Sequence, residues 1–195
     1  GTPFYWLADT MWAIPTFRFP WHDDDAERPV GPEMGFKDII RYRRRQGFNG
    51  VTILACFPNW AHDGLPARIV MDDGHGTVVR ASWPHPGDRS SKDMHNEGGR
   101  AFFFPGRVPG YEKVFPDIER PNPAYFQVLD RKVEFLQQQG FVPFLEVIRR
   151  DATQPWKRYY PWPDSYARYI LYVYTRYQAQ NVVLSPIHFD TKQDA

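Results

Sequence analysis

Cysteine is nearly missing from this 195-residue chain: Cys56 stands alone, which excludes an intrachain disulfide. A lone thiol after a strand-like run is more often a small buried hydrophobe than a nucleophile. No stretch approaches the roughly 18 apolar residues that a membrane-spanning helix needs, and no charged segment with an apolar core opens the chain. An excess of either charge is also missing. The 24 Lys+Arg face 23 Asp+Glu, a net charge of +1, and no tail or face gathers them into a nucleic-acid footprint. The densest basic run, Arg41-Tyr42-Arg43-Arg44-Arg45, reads as a solvated helix face rather than a polyanion site. A Gly-rich phosphate turn and a G-x-S-x-G nucleophile elbow are absent as well. Neither nucleic acid, nor a membrane, nor a cofactor, nor a metal is therefore expected as a partner.

What the chain has instead is aromatics, 17% of residues with 7 Trp and 11 Tyr, within an ordinary globular balance of 42% hydrophobic and 24% charged residues. Such side chains offer large apolar faces with one polar handle, which suits sugar recognition as well as a core. Four short apolar runs read as strands: Phe4–Ala8, Val51–Ala55, Phe141–Ile148 and Val182–Leu184. Their continuous hydrophobicity fits a parallel sheet covered by helices. The spacing of Phe36, Ile39 and Ile40 predicts a helix that stops at Gly47. A second helix starts at Asn122-Pro123, carries Phe126, Leu129, Val133 and Leu136 on one stripe, and stops at Gly140. Tyr166, Ile170, Val173, Tyr174 and Tyr177 mark a third.

The order is β-α-β-α-β-α-β, with short αβ loops on one side and long βα loops on the other, the asymmetry of α/β enzymes. The stretch 57–120 is an insertion after strand two, rich in Pro, Gly and aromatics, and is read as a lid or binding wall. A doubly wound nucleotide fold would show a phosphate turn where Asp9-Thr10-Met11-Trp12 stands. The expected fold is thus α/β, the first four βα units of a (β/α)8 TIM barrel, with 1–195 a partial catalytic domain. Barrel chemistry sits just past the carboxyl ends of the strands, which singles out Asp9, Pro58-Asn59-Trp60, Glu146 with Arg149 and Asp151, and His188 with Asp190.

Phe4-Tyr5-Trp6-Leu7-Ala8-Asp9-Thr10-Met11-Trp12, Gln46-Gly47-Phe48-Asn49, Asn122-Pro123-Ala124-Tyr125-Phe126 and Ser185-Pro186-Ile187-His188-Phe189-Asp190 together resemble the apiosidase-like family of glycoside hydrolases. The resemblance touches all four βα units and leaves out the insertion. It implies a (β/α)8 barrel that hydrolyses a glycosidic bond with two carboxylates, a carbohydrate substrate, and a periplasmic or extracellular setting. It maps the acid/base to Asp190 and places the partner carboxylate beyond Ala195, in the remaining half of the barrel. These 195 residues alone are accordingly expected to be inactive. The departure from the family is the bulky His188-Phe189 pair where a small pair usually precedes the aspartate.

The residue types suit that chemistry. A glycosidic oxygen leaves only when protonated, so one carboxyl must hold its proton while another attacks or activates water, in a retaining mechanism as its nucleophile. Burial among aromatics such as Phe189 raises a carboxyl pKa, the direction an acid at Asp190 requires; the alternative is that Asp190 merely caps the following segment. Substrate contacts are expected from Asp9, Trp12, Asn59, Trp60, Glu146 and His188. Asp9 binds sugar hydroxyls, serves as an N-cap or forms a salt bridge to Arg149 or Arg150. Glu146 meets the substrate or a buried partner, and His188 touches ligand, tunes Asp190 or is structural. The acidic runs His22-Asp23-Asp24-Asp25 and Asp72-Asp73-Gly74-His75 match no EF-hand or zinc spacing and read as solvated loops. The alternative to a hydrolase is a non-catalytic carbohydrate-binding or structural barrel; a metal-dependent hydrolase lacks the His-x-His pair it would carry at strand one.

Overall fold

The structure is a computed structural model that describes residues 4–55, 96, 97, 99, 100, 104, 106, 107, 117–148, 157 and 159–188. The elements are β1 (Ala8–Thr10), α1 (Phe36–Arg45), β2 (Gly50–Leu54), α2 (Pro123–Gln138), β3 (Val142–Glu146), α3 (Asp164–Tyr177) and β4 (Val183–Ser185). The strands form one parallel sheet in the order β1-β2-β3-β4, so the fold is α/β and each strand pairs with the next in sequence. Among the described residues, no helix is long and apolar enough to cross a membrane.

Local chemistry explains where the helices begin and end. Asp38 at the third position of α1 accepts from Gly35 N at 2.9 Å and from Arg28 N at 3.0 Å, so both carboxylate oxygens serve orphan backbone donors. Asn122 Oδ1 accepts from Ala124 N at 3.1 Å, and Pro123 takes the first helical position, where its missing N–H is not needed. Both expected stops are real. Gly47 and Gly140 sit at φ +89° and +79°, and each helix closes with paired backbone bonds. In α1 these run from Gly47 N to Arg44 O at 2.9 Å and from Phe48 N to Arg43 O at 3.1 Å; in α2, from Gly140 N to Gln137 O and Phe141 N to Leu136 O, both 2.9 Å.

Pairing register sorts the strand residues by face, because side chains directly across parallel strands point the same way. Asp9, Val51 and Pro143 share one face, and Ile53, Leu145 and Leu184 continue it. This face meets the helices: Val51, Ile53 and Leu145 are buried in one core with Phe36, Ile40, Leu129 and Val133. Thr10, Thr52 and Phe144 share the other face and remain at least partly exposed; Glu146 lies on it, across from Ser185.

One element differs from expectation. The first strand is Ala8–Thr10 rather than Phe4–Ala8, so Asp9 lies inside it rather than past it. Phe4, Tyr5 and Trp6 are 63%, 79% and 45% exposed. The cause is Asn49, whose side chain takes the place of a ladder partner: Leu7 N donates to Oδ1 at 2.9 Å, and Nδ2 donates to Tyr5 O at 2.6 Å. An aromatic run reads as a strand, but strand pairing begins only where β2 supplies backbone partners.

Candidate active site

Backbone bonds continue past the carboxyl ends of the strands and bring three of the expected site residues to one edge of the sheet. Ala55 N donates to Glu146 O at 2.8 Å, Val147 N to Ser185 O at 3.0 Å, and His188 N to Ile148 O at 2.8 Å. On the β1 side, Met11 N donates to Thr52 O at 2.8 Å and Leu54 N to Trp12 O at 3.4 Å. Two tyrosines brace this edge from the helix side. The buried Tyr125 hydroxyl of α2 donates to Ala55 O at 3.1 Å, and that of Tyr169 in α3 donates to Val147 O at 3.2 Å. Buried carbonyls left without such donors would cost about 1–3 kcal/mol each.

The result is a Trp12, Glu146 and His188 cluster drawn from just past β1, the last residue of β3 and just past β4. His188 Nδ1 lies 2.7 Å from both carboxylate oxygens of Glu146, whose side chain is 9% exposed against 13% for the imidazole. The Trp12 and His188 rings meet edge to face, with centroids 4.7 Å apart and planes at 64°. Glu146 thus has a polar partner among the described residues, a histidine 42 residues away in sequence. An indole, an imidazole and a carboxylate side by side can present an apolar face to a sugar ring and hydrogen-bonding groups to its hydroxyls.

Asp9 is engaged elsewhere. Its Oδ2 is 2.6 Å from Arg43 Nε on α1, on the helix-facing side of the sheet, and Oδ1 accepts from Thr10 N at 2.8 Å. Among the described residues its cation is Arg43, because the register puts Asp9 on Val51's face; Arg149 and Arg150 lie outside the described residues. Asp190, Asn59 and Trp60 lie outside the described residues, as do Cys56, Arg149, Asp151, Phe189 and the run Asp72-Asp73-Gly74-His75.

The charged runs are consumed within the chain. Asp23 pairs with Arg131 at 2.7 Å, Asp24 with Arg28 at 2.8 Å, and Asp25 with Lys37 at 3.2 Å. Hydrogen bonds from these cations hold all three carboxyls below their usual range. Arg41 reaches Asp25, Arg43 reaches Asp9 and Arg45 reaches Glu27, which leaves the basic face of α1 largely spoken for. Among the described residues, no group of three His, Cys, Asp or Glu side chains is placed to hold a metal ion.

Sequence reasoning passed over Lys132. It sits three residues after Leu129 on the apolar stripe of α2, and that position is the one signal that could have flagged it. Its buried ammonium donates to Ile14 O at 3.2 Å, Phe19 O at 3.0 Å and Glu97 Oε2 at 3.0 Å. Glu97 Oε1 in turn accepts from Trp21 N at 2.9 Å, so the long segment after β2 is tied to the β1–α1 connection that carries Trp12.

A parallel sheet with helices on one face, and with polar and aromatic side chains gathered past the strand carboxyl ends, defines the class as α/β. The model of the apiosidase-like catalytic domain matches residues 1–186, and the chain belongs to that family. No curated protein matches it. Among solved structures, a glycoside hydrolase is 16% identical, with 94% of this chain and 29% of that one covered and a TM-score of 0.48. A glycoside hydrolase family 5 protein from Bacteroides vulgatus is 14% identical over 94% of this chain and 28% of its own, with a TM-score of 0.49. The chain spans less than a third of the length of either.

Proposed function

We propose that the complete protein hydrolyses a glycosidic bond in a polysaccharide or oligosaccharide, with Asp190 as its catalytic acid/base. The observation that carries this reading is the Trp12–Glu146–His188 cluster at the strand ends of an apiosidase-like catalytic domain, two residues before that aspartate. The four parallel strands are then the first half of a (β/α)8 barrel, and the half that follows strand four supplies the second carboxylate. Trp12 presents its ring to the sugar and His188 bonds a hydroxyl. Asn59 and Trp60, from the start of the insertion, complete the subsite wall. Asp9 has no part in this reading, since Arg43 holds its carboxylate toward α1.

In the reaction, Asp190 delivers its proton to the glycosidic oxygen as the bond to the anomeric carbon breaks. The second carboxylate attacks that carbon, and Asp190 then takes a proton from the water that releases the sugar. Anomeric configuration is retained, and the two carboxyl groups stand about 5 Å apart.

The test is Asp190→Asn in the complete protein, assayed on apiose-containing and other plant and microbial polysaccharides with products followed by NMR. The expected loss in kcat is about 10²- to 10⁴-fold, the share of a proton-transfer group. An unchanged rate removes Asp190 from the role. Sugar binding without turnover by the parent protein would favour a non-catalytic carbohydrate-binding barrel, and an inverted product would replace the nucleophile with a base.

A further inference from the structure

The pairing of Glu146 with His188 separates two residues that the strand-end position alone would assign the same task. Glu146 closes β3, and its carboxylate straddles the imidazole Nδ1, with both oxygens 2.7 Å away. The backbone imposes this meeting. Glu146 pairs with Ser185 in the β3–β4 ladder, and His188 N donates to Ile148 O at 2.8 Å, so the two side chains leave adjacent strands at fixed heights. Trp12, just past β1, meets the imidazole in an edge-to-face contact with ring centroids 4.7 Å apart. Among the described residues, Asp9 of β1 pairs with Arg43 of α1, and Lys132 of α2 pairs with Glu97.

A carboxylate at both oxygens' hydrogen-bonding distance requires the proton of a neutral imidazole to be on Nδ1, because an ionised carboxylate only accepts. The same requirement makes Nε2, on the far side of the ring, the acceptor. A histidine free in water favours the opposite arrangement, with the proton on Nε2. The carboxylate thus sets the sense of whatever hydrogen bond the ring makes at its other nitrogen, as the aspartate of a Ser-His-Asp triad does for its histidine.

We propose that Glu146 is a positioning residue that acts through His188, fixing the imidazole as its Nδ1–H tautomer so that Nε2 accepts from a sugar hydroxyl. This rests on the glycosidase reading for the identity of the ligand, but the tautomer itself does not depend on turnover. A substrate hydroxyl donates in this geometry. An analogue with the hydroxyl replaced by a methoxy or fluoro group has no proton to give and is discriminated against.

Imidazole ¹⁵N shifts of the complete protein, labelled at histidine, read the tautomer directly. His188→Asn assigns the signal. The expected spectrum shows His188 protonated at Nδ1, and Glu146→Ala moves it toward the Nε2–H form. Glu146→Gln, whose amide oxygen still accepts at the same place, keeps the Nδ1–H form and guards against a loss of fold in the alanine variant. In the sugar-hydrolysis assay, Glu146→Ala and His188→Ala each lower kcat/KM by about ten- to a hundredfold, the share of one hydrogen bond in a charged network, and the double variant falls no further than either. An Nε2–H signal in the parent protein, or an unchanged tautomer in Glu146→Ala, overturns the proposal. Additive losses in the double variant overturn it as well. If the parent cleaves no glycoside yet the tautomer shifts as stated, the glycosidase reading fails and the positioning role stands.

Discussion

The ammonium of Lys132 lies 3.0 Å from Glu97 Oε2 and 3.0 Å from the carbonyl of Phe19, so one buried cation on α2 ties together two long connections that flank the strand ends. Carbonyls of Ile14, Pro15 and Thr16 complete the ring around it at 3.2–3.4 Å. The cation replaces a cluster of hydrogen bonds that the β1–α1 connection has no regular structure to make for itself.

Burial pushes the Lys132 pKa down from 10.5 to about 8, against the opposing pull of Glu97. Between those two values the unfolded chain holds a proton that the folded chain has released, so unfolding is linked to proton uptake and stability rises with pH. The gain from pH 7 to pH 10 is about 2–3 kcal/mol. Above pH 10 the sign turns. Burial pushes the Tyr166 and Tyr177 phenols up, so the unfolded chain loses those protons first and stability falls. Urea unfolding of the complete protein at pH 7 to 10 should show the rise. Lys132→Met should abolish it and cost about 3–5 kcal/mol at pH 7, since Glu97 and the carbonyl ring lose their cation. A rise of the same size in Lys132→Met would assign it to another group.

Gly47 and Gly140 stop their helices at positive φ with open space where a Cβ would go, so a substitution there meets only backbone strain. Alanine at either position should cost about 1–2 kcal/mol, and asparagine, which tolerates the left-handed region, distinctly less. Thermal unfolding of the four single variants measures this. Equal losses for alanine and asparagine would show that strain at φ is not the cause.

These glycines also mark how far the sequence can be read. Helix starts and stops are written in neighbouring residues, as at Asn122-Pro123 and Gly140, so they were legible one at a time. The start of β1 was not, because Phe4-Tyr5-Trp6 has the hydrophobicity of a strand and only Asn49, far along the chain, decides where pairing begins. The site shows the same division. Trp12, Glu146 and His188 were each visible from their places near strand ends, but that Glu146 meets His188 depends on the β3–β4 register. Lys132 escaped notice because most of its acceptors are main-chain carbonyls, which any sequence supplies, and its one carboxylate partner, Glu97, lies 35 residues away.

The ion pair of Asp9 with Arg43 gives a direct contrast between two carboxylates that close inspection of the sequence places alike. Asp9 lies on the helix side of the sheet and Glu146 on the other, so their removal should have opposite signatures. Asp9→Asn breaks a partly exposed pair and should lower stability by no more than about 1 kcal/mol while leaving kcat/KM for the sugar substrate unchanged. Arg43→Gln should destabilise to the same degree, and the double variant no further, as expected for a single shared interaction. Glu146→Ala should instead reduce kcat/KM. Steady-state kinetics and urea midpoints on the same set of variants separate the two. A rise in KM for Asp9→Asn as large as that for His188→Ala would return Asp9 to the substrate pocket, and with it a role for the Asp-Thr-x-Trp turn in holding the sugar.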